Sequence, residues 1–328
     1  MRSSEDSLIA AIRKVAGAGP GVLVGIGDDA AVVETGGGSM VLTTDVLVGG
    51  VHFSLASISP RDLGYKAIVV SVSDIGAMAA SPRYALVSLA MPSETEESWV
   101  MELYGGMRTA CDEYALSLVG GDLSRGGEVS ITVTVAGEVA QGRAILRSGA
   151  RVGDRIVVTG TLGASAGGLV VERSADPSAI SSDWGRGLVA AHQRPVARVG
   201  EARTLAAAGA SAMMDISDGL SLDLSRLCEE SGVGARVDLG AVPVSPWLAP
   251  AASSLSLDPL HLALTGGEDY ELLATLDASN VEGAAAALKE RFGVPLTDVG
   301  KITESGLVAV ASDGTEAPLE PEGWDHFA

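Results

Sequence analysis

The run Gly25-Ile26-Gly27-Asp28-Asp29-Ala30 lies between two apolar segments, and its reading governs that of the whole chain. Glycines around a pair of aspartates permit a tight turn that presents two carboxylates at a strand end. Three more stretches repeat the arrangement: Gly120-Gly121-Asp122, Met214-Asp215-Ile216-Ser217-Asp218-Gly219 and Thr265-Gly266-Gly267-Glu268-Asp269-Tyr270. Thr43-Thr44-Asp45 and the lone Asp74 extend the set. Short carboxylates with hydroxyls nearby and no Cys or His cluster are hard oxygen donors. They suit Mg2+ rather than zinc.

The composition narrows what such a site can serve. The chain has 328 residues, 47% of them hydrophobic, enough for one large or two medium domains. Its 42 glycines against 4% aromatics point to tight turns and close backbone approaches rather than aromatic packing. A net charge of −20 argues against charge-driven binding to nucleic acid or an anionic membrane. A phosphate ligand would need divalent cations to screen it from the carboxylates. Cys111 and Cys228 read as free buried thiols of a reducing compartment. The N-terminal residues lack a signal-peptide pattern and no apolar run is long enough to span a bilayer, so a cytoplasmic location is expected.

Periodicity predicts a mixture of strands and helices without a strict βαβ rhythm, hence an α+β protein of two domains, residues 1–140 and 141–328. Residues 3–15 read as a helix capped by Ser3. Ser59-Pro60-Arg61-Asp62 starts a long helix that Ser81-Pro82 is expected to end. A second long helix covers residues 94–114. A short strand at 116–119 leads into Gly120-Gly121-Asp122. Residues 128–139 alternate, with Val129, Ile131, Val133 and Val135 on one face and Ser130, Thr132 and Thr134 on the other. This half-polar strand and its neighbours are expected to pair across a two-fold axis. In the second half, 154–159, 212–216, 235–239, 270–276, 299–302 and 307–311 read as strands. Residues 220–231 and 281–292 read as helices.

No G-x-x-x-x-G-K-[ST] occurs, which excludes a P-loop. Residues 25–30 fit G-x-G-x-x-A, but two adjacent aspartates would repel a pyrophosphate, so a dinucleotide site is rejected. The glycine-rich segment 160–168 either cradles a phosphate with backbone N–H groups or is a tight turn with close helix packing. Asp74 sits among Val70, Val72 and Ile75, so it faces solvent or else needs a partner or a metal. His52 is the one histidine near an acidic loop, and Arg147 is one of few cations near the candidate site.

Taken in order, these strings resemble the thiamine-monophosphate kinases, a family within the aminoimidazole ribonucleotide synthetase superfamily. The resemblance rests on 25–30, Thr43-Thr44-Asp45, 50–53, Tyr65-Lys66-Ala67, Ser73-Asp74, Gly120-Gly121-Asp122, 147–150, 215–220, 266–272 and the terminal Gly323-Trp324-Asp325-His326-Phe327. It therefore spans nearly the whole chain. It implies an N-terminal domain whose sheet joins that of a second subunit in an intersubunit barrel, making a homodimer. A C-terminal α/β layer domain would complete the active-site cleft. It also implies the reaction of ATP with thiamine monophosphate to give ADP and thiamine diphosphate, by direct in-line transfer with no side chain as nucleophile or base.

By motif, Asp29, Thr43, Thr44, Asp45, Asp74, Asp122, Asp215 and Asp218 would hold several Mg2+ ions, with Asp28 supporting Asp29. Tyr104, Gly121, Arg147 and Ser217 would contact the nucleotide. His52, Glu268 and Trp324 would contact thiamine monophosphate, with the Trp324 indole over the cationic thiazolium. Two other readings remain. One is another ATP-dependent member of the superfamily resembling selenophosphate synthetase, although this chain has no Cys before Cys111. The other is a metal-binding dimer without activity.

Overall fold

The computed structural model describes residues 5–16, 20–174 and 176–324. The Ser3 cap and the terminal Asp325, His326 and Phe327 lie outside them. The first half contributes β1 (Val22–Val24), β2 (Ala31–Thr35), β3 (Gly38–Val48), β4 (Ser81–Met91), β5 (Ser117–Arg125) and β6 (Ser130–Val139). They form one open sheet in the order β1-β2-β3-β6-β4-β5. All neighbours are antiparallel except β4 and β5. Alternation sorts the faces: Ile131, Val133 and Val135 of β6 and Ala85, Val87 and Leu89 of β4 are buried. The outward residues Val46, Tyr84 and Leu86 are exposed.

Three helices accompany this sheet: α1 (Glu5–Ala16), α2 (Pro60–Ala77) and α3 (Glu97–Glu113). The start of α2 follows the sequence rule. Ser59 Oγ accepts from Asp62 N at 3.0 Å and Pro60 opens the first turn. Nearly every side of α2 is buried, because it lies under the sheet and also touches the second half of the chain. Its crossing with α3 is close enough to require glycine. A Cβ on Gly64 would sit 1.9 Å from the Leu103 carbonyl oxygen, and one on Gly106 would sit 1.8 Å from that of Arg61.

The second half forms a seven-stranded sheet from β7 (Arg155–Thr159), β8 (Ala212–Asp215), β9 (Gly234–Asp238), β10 (Leu272–Leu276), β11 (Leu296–Thr303), β12 (Leu307–Val310) and β13 (Glu316–Pro318), in the order β13-β12-β9-β11-β7-β10-β8. Its helices are α4 (Ala164–Ser174), α5 (Pro177–Ser181), α6 (Asp183–Gln193), α7 (Val199–Ala207), α8 (Leu220–Ser231), α9 (Leu248–Leu255), α10 (Pro259–Thr265) and α11 (Val281–Phe292). The α8 helix ends on Gly232 in the left-handed region. The two-domain mixed α+β expectation therefore holds. Cys111 and Cys228 are free and buried. Among the described residues no helix is long and apolar enough to cross a membrane.

Three local expectations are corrected. Ser81-Pro82 does not end α2. The helix stops at Ala77, the chain reverses through Ala79 at φ 58°, and Ser81 already belongs to β4. Gly120-Gly121-Asp122 is not a loop after a short strand, because β5 runs straight through it. Residues 130–139 are not an edge strand. β6 is hydrogen-bonded to β3 on one side and β4 on the other, so its own edges are already taken. The edges of the sheet are β1 and β5, and the described residues of the single chain close no barrel.

Candidate active site

The site begins on β3. Period-two alternation turns Thr43 and Asp45 toward α2 and Thr44 away from it. Thr43 donates from Oγ1 to Asp74 Oδ2 at 2.5 Å, and Asp45 Oδ2 accepts from Ser71 Oγ at 2.8 Å. The Thr44 hydroxyl lies instead on the other face, where it meets Thr134 Oγ1 at 3.0 Å, so the structure does not bring it to the carboxylates. Ser73, buried on α2, donates to Asp215 Oδ2 at the end of β8 and ties the two halves of the chain together.

The turn after β1 adds a fourth carboxylate, Asp29. One oxygen each from Asp29, Asp74 and Asp215 lie within 4.8 Å of one another. Asp29 is buried, and Arg147 reaches its Oδ1 with Nε at 3.0 Å and Nη2 at 2.6 Å. Asp28 accepts from the backbone N–H of Arg147 and so anchors the segment that carries the guanidinium. Asp29 Oδ2 is buried and has no hydrogen-bond partner among the described residues. A carboxylate oxygen left bare at that depth is costly unless a cation meets it.

The electrostatics point the same way. Burial, then the charges of Asp45, Asp215 and Asp29, push the Asp74 carboxyl well above its ordinary range. Burial and the nearby Asp29 do the same to Asp215. Asp45 is raised by burial, partly offset by its bonds to Ser71 and Asp74. Burial and Asp29 lift Asp28 to about 7. Carboxyl groups that resist ionising together are a set that a hard divalent ion would stabilise, and the oxygens of Asp29, Asp45, Asp74 and Asp215 fit Mg2+.

The loop between β8 and α8 holds the remaining acids. Asp223 is fully buried, and its Oδ2 accepts from the backbone N–H groups of Ser217, Asp218 and Gly219. Arg226 bridges Asp218, Asp223 and Asp6. Asp218 is thus placed beside the cluster but paired with arginine. The chain end passes over this loop: Trp324 N donates to the Asp218 carbonyl at 3.1 Å, with the residue exposed.

The opposite loop, 265–271, is strained. Glu268 and Tyr270 are non-glycine residues at φ 66° and 52°. Their N–H groups donate to Ser217 O and Ile216 O, which locks this loop to the one after β8. Glu268 meets Lys66 Nζ at 2.9 Å and His192 Nδ1 at 3.2 Å. Burial opposes ionisation of Glu268, but these two partners outweigh it and bring the carboxyl to about 2. Asp269 decides the question left open for segment 160–168. Its carboxylate accepts from Gly163 N at 2.6 Å and Ser165 N at 3.3 Å, so the donors that would have cradled a phosphate face a carboxylate instead.

Tyr104, Gly121 and Asp122 line one open hollow of about 430 Å³ beside the exposed edge strand β5. Asp122 is therefore apart from the buried group of Asp29, Asp74 and Asp215. His52 lies at the end of β3, its Nδ1 accepting from Val48 N at 2.9 Å. Sequence reasoning missed Asp223, Arg226, His192 and Lys66 as participants. Lys66 carries the same sequence signal as Asp74, a charge in an apolar helical run.

The chain, with its two mixed α+β halves and carboxylates from both brought together, matches the AIR synthase related proteins along most of its length. The N-terminal domain model of that family matches residues 27–139 and its C-terminal domain model matches 151–312. Thiamine-monophosphate kinase of Escherichia coli K12 is 39% identical, over 94% of this chain and 93% of the relative. The enzyme of that name from Bacillus subtilis 168 is 36% identical, over 93% of each. Among solved structures, AaThiL complexed with AMPPCP and TMP superposes with a TM-score of 0.87 at 37% identity, covering 100% of this chain and 99% of that one. The chain belongs to the thiamine-monophosphate kinase family.

Proposed function

We propose that the chain transfers the γ-phosphoryl group of ATP to the phosphate of thiamine monophosphate, giving thiamine diphosphate and ADP. The observation that carries this reading is the convergence of Asp29, Asp74 and Asp215 around a bare, buried carboxylate oxygen. It occurs in a chain whose relatives carry the kinase name and whose structural neighbour holds AMPPCP and TMP. The acceptor is itself a phosphate, largely ionised near neutral pH, so no general base is needed. Positioning and charge stabilisation do most of the work in such transfers. When bound, Mg2+ would cancel the repulsion between the two polyanions.

Asp29, Asp45, Asp74 and Asp215 are the residues we assign to hold it. Asp122 and Asp218 would join from the two rims, and Thr43 would orient Asp74. Arg147 is the cation assigned to the nucleotide phosphates, with Ser217 nearby and Tyr104 and Gly121 in the hollow beside β5. His52, Glu268 and Trp324 are assigned to the acceptor. Residues 1–140 would supply most of the metal-holding carboxylates, and residues 141–328 would complete the cleft with Arg147, Asp215, Ser217 and Asp218. The exposed Val46, Tyr84 and Leu86 on the uncovered sheet face, with Val119 and Leu123 on β5, favour a homodimer. There the sheet would close a barrel with its twin. A coupled assay should show ADP release that depends on both thiamine monophosphate and a divalent cation. ATP consumption indifferent to thiamine monophosphate would overturn the assignment.

A further inference from the structure

Lys66 is the largest fully buried side chain among the described residues, and its ammonium group has a single anionic partner among their ion pairs, Glu268. The contact is 2.9 Å but oblique: Nζ makes no hydrogen bond of normal geometry there, so charge rather than direction holds the pair. A lysine is rarely taken this far from water unless it is paired. Its partner is equally constrained. Glu268 sits at φ 66°, its N–H is fixed to Ser217 O, and its second oxygen meets His192 Nδ1, which Ser165 Oγ approaches at 3.0 Å. The Glu268 side chain nonetheless keeps 25% of its surface open. With one oxygen held by Lys66 and the other by His192, the carboxylate has a fixed position while part of its side chain stays open.

The position of Lys66 on α2 gives the arrangement a second meaning. Lys66 precedes Ser73 by seven residues, two turns, so the two side chains leave the same face of the helix about 10 Å apart. Ser73 holds Asp215 and the next residue, Asp74, belongs to the carboxylate group. One rigid helix thus fixes the metal-suited end and the Glu268 end of the cleft at a set separation. We infer that Lys66 is a positioning residue for acceptor recognition, holding Glu268 at the distance from the phosphate-handling carboxylates that suits a phosphate ester with a cationic heteroaromatic group at its far end. This inference rests on the proposed reaction, because it concerns how the same cleft selects its acceptor.

The test is steady-state kinetics on Lys66→Met, Lys66→Arg, Glu268→Gln and the double variant Lys66→Met/Glu268→Gln, each with a melting curve. Lys66→Met should raise the Michaelis constant for thiamine monophosphate roughly tenfold, the equivalent of about 1.4 kcal/mol. The constant for ATP and the saturated rate should change little, and Lys66→Arg should recover part of the loss. The double variant should be no worse than Glu268→Gln alone, since Lys66 acts through Glu268. It also removes both charges together, so it keeps the comparison available if Lys66→Met alone, which leaves Glu268 without its lysine, fails to fold. Unchanged acceptor affinity in Lys66→Met would overturn the inference. So would a double variant whose two losses simply add. A wild-type enzyme that ignores thiamine monophosphate would instead overturn the proposed reaction, which is a separate outcome.

Discussion

Asp74 shows what a single residue reveals and conceals. A carboxylate among valines and isoleucines on a helix was legible as an anomaly, because an apolar run tolerates a charge only with a partner. Which partner was not legible, since Asp29, Asp45 and Asp215 come from segments far apart in sequence. Thr44 marks the reverse limit. The string Thr43-Thr44-Asp45 suggests three ligands, but strand alternation sends the middle hydroxyl to Thr134. Substituting Asp74→Asn should reduce turnover by about a hundredfold, by analogy with the loss of groups that support a metal. It should at the same time leave the metal-free protein at pH 8 as stable as before or more so, because a neutral amide relieves the crowding of like charges. Thermal melts with and without Mg2+ check both halves. A variant with full activity at limiting Mg2+ would remove Asp74 from the site.

At the scale of elements, α2 organises the molecule, and its beginning was readable from the Ser59 cap and Pro60. Its end was not, because Pro82 lies at the start of β4, which follows a left-handed turn at Ala79. The contact with α3 was also hidden: glycines in a helix look like weak positions until a neighbouring backbone is seen against them. Gly64→Ala should therefore destabilise the protein by about 1–3 kcal/mol in chemical denaturation, since the new Cβ would meet a backbone oxygen that cannot easily yield. Gly283→Ala, on α11 with nothing within 4 Å of the added carbon, should instead gain about 0.4–1 kcal/mol. Equal effects at the two positions would show that the close crossing is not what Gly64 serves. Strand order was similarly out of reach. Alternation correctly identified the buried face of β6, but it carries no information about neighbours, and β6 turned out to be internal.

Across the whole molecule, acidity and function meet in the pH dependence of stability. Asp28, Asp223 and Asp269 are each raised to about 7, mainly by burial. Their ordinary values lie near 4. The folded state therefore holds more protons than the unfolded state between about pH 4 and pH 7. The stability these groups confer is complete below that range and is lost as pH rises through about 7. Glu268 has the opposite sign, but its window lies below about pH 4.5, so it does not interfere. The melting temperature of the metal-free protein should fall between pH 5.5 and pH 8, and Mg2+ should flatten the fall. A rise over that range would contradict the account of the cluster. Assembly belongs to this scale as well. Light scattering should find a dimer, and Leu86→Glu on the uncovered sheet face should weaken it, whereas an active wild-type monomer at micromolar concentration would exclude the intersubunit barrel.

The central claim is direct transfer between two phosphates in a carboxylate cleft, with no side chain as intermediate carrier. Following the γ-phosphorus of labelled ATP through a single turnover tests it most directly. The account predicts that the label passes to the terminal phosphate of thiamine diphosphate in step with ADP formation, with none on the protein at any time and no ADP–ATP exchange before thiamine monophosphate is added. Label that appears first on a side chain and then chases into product, or that never reaches thiamine diphosphate, would contradict it.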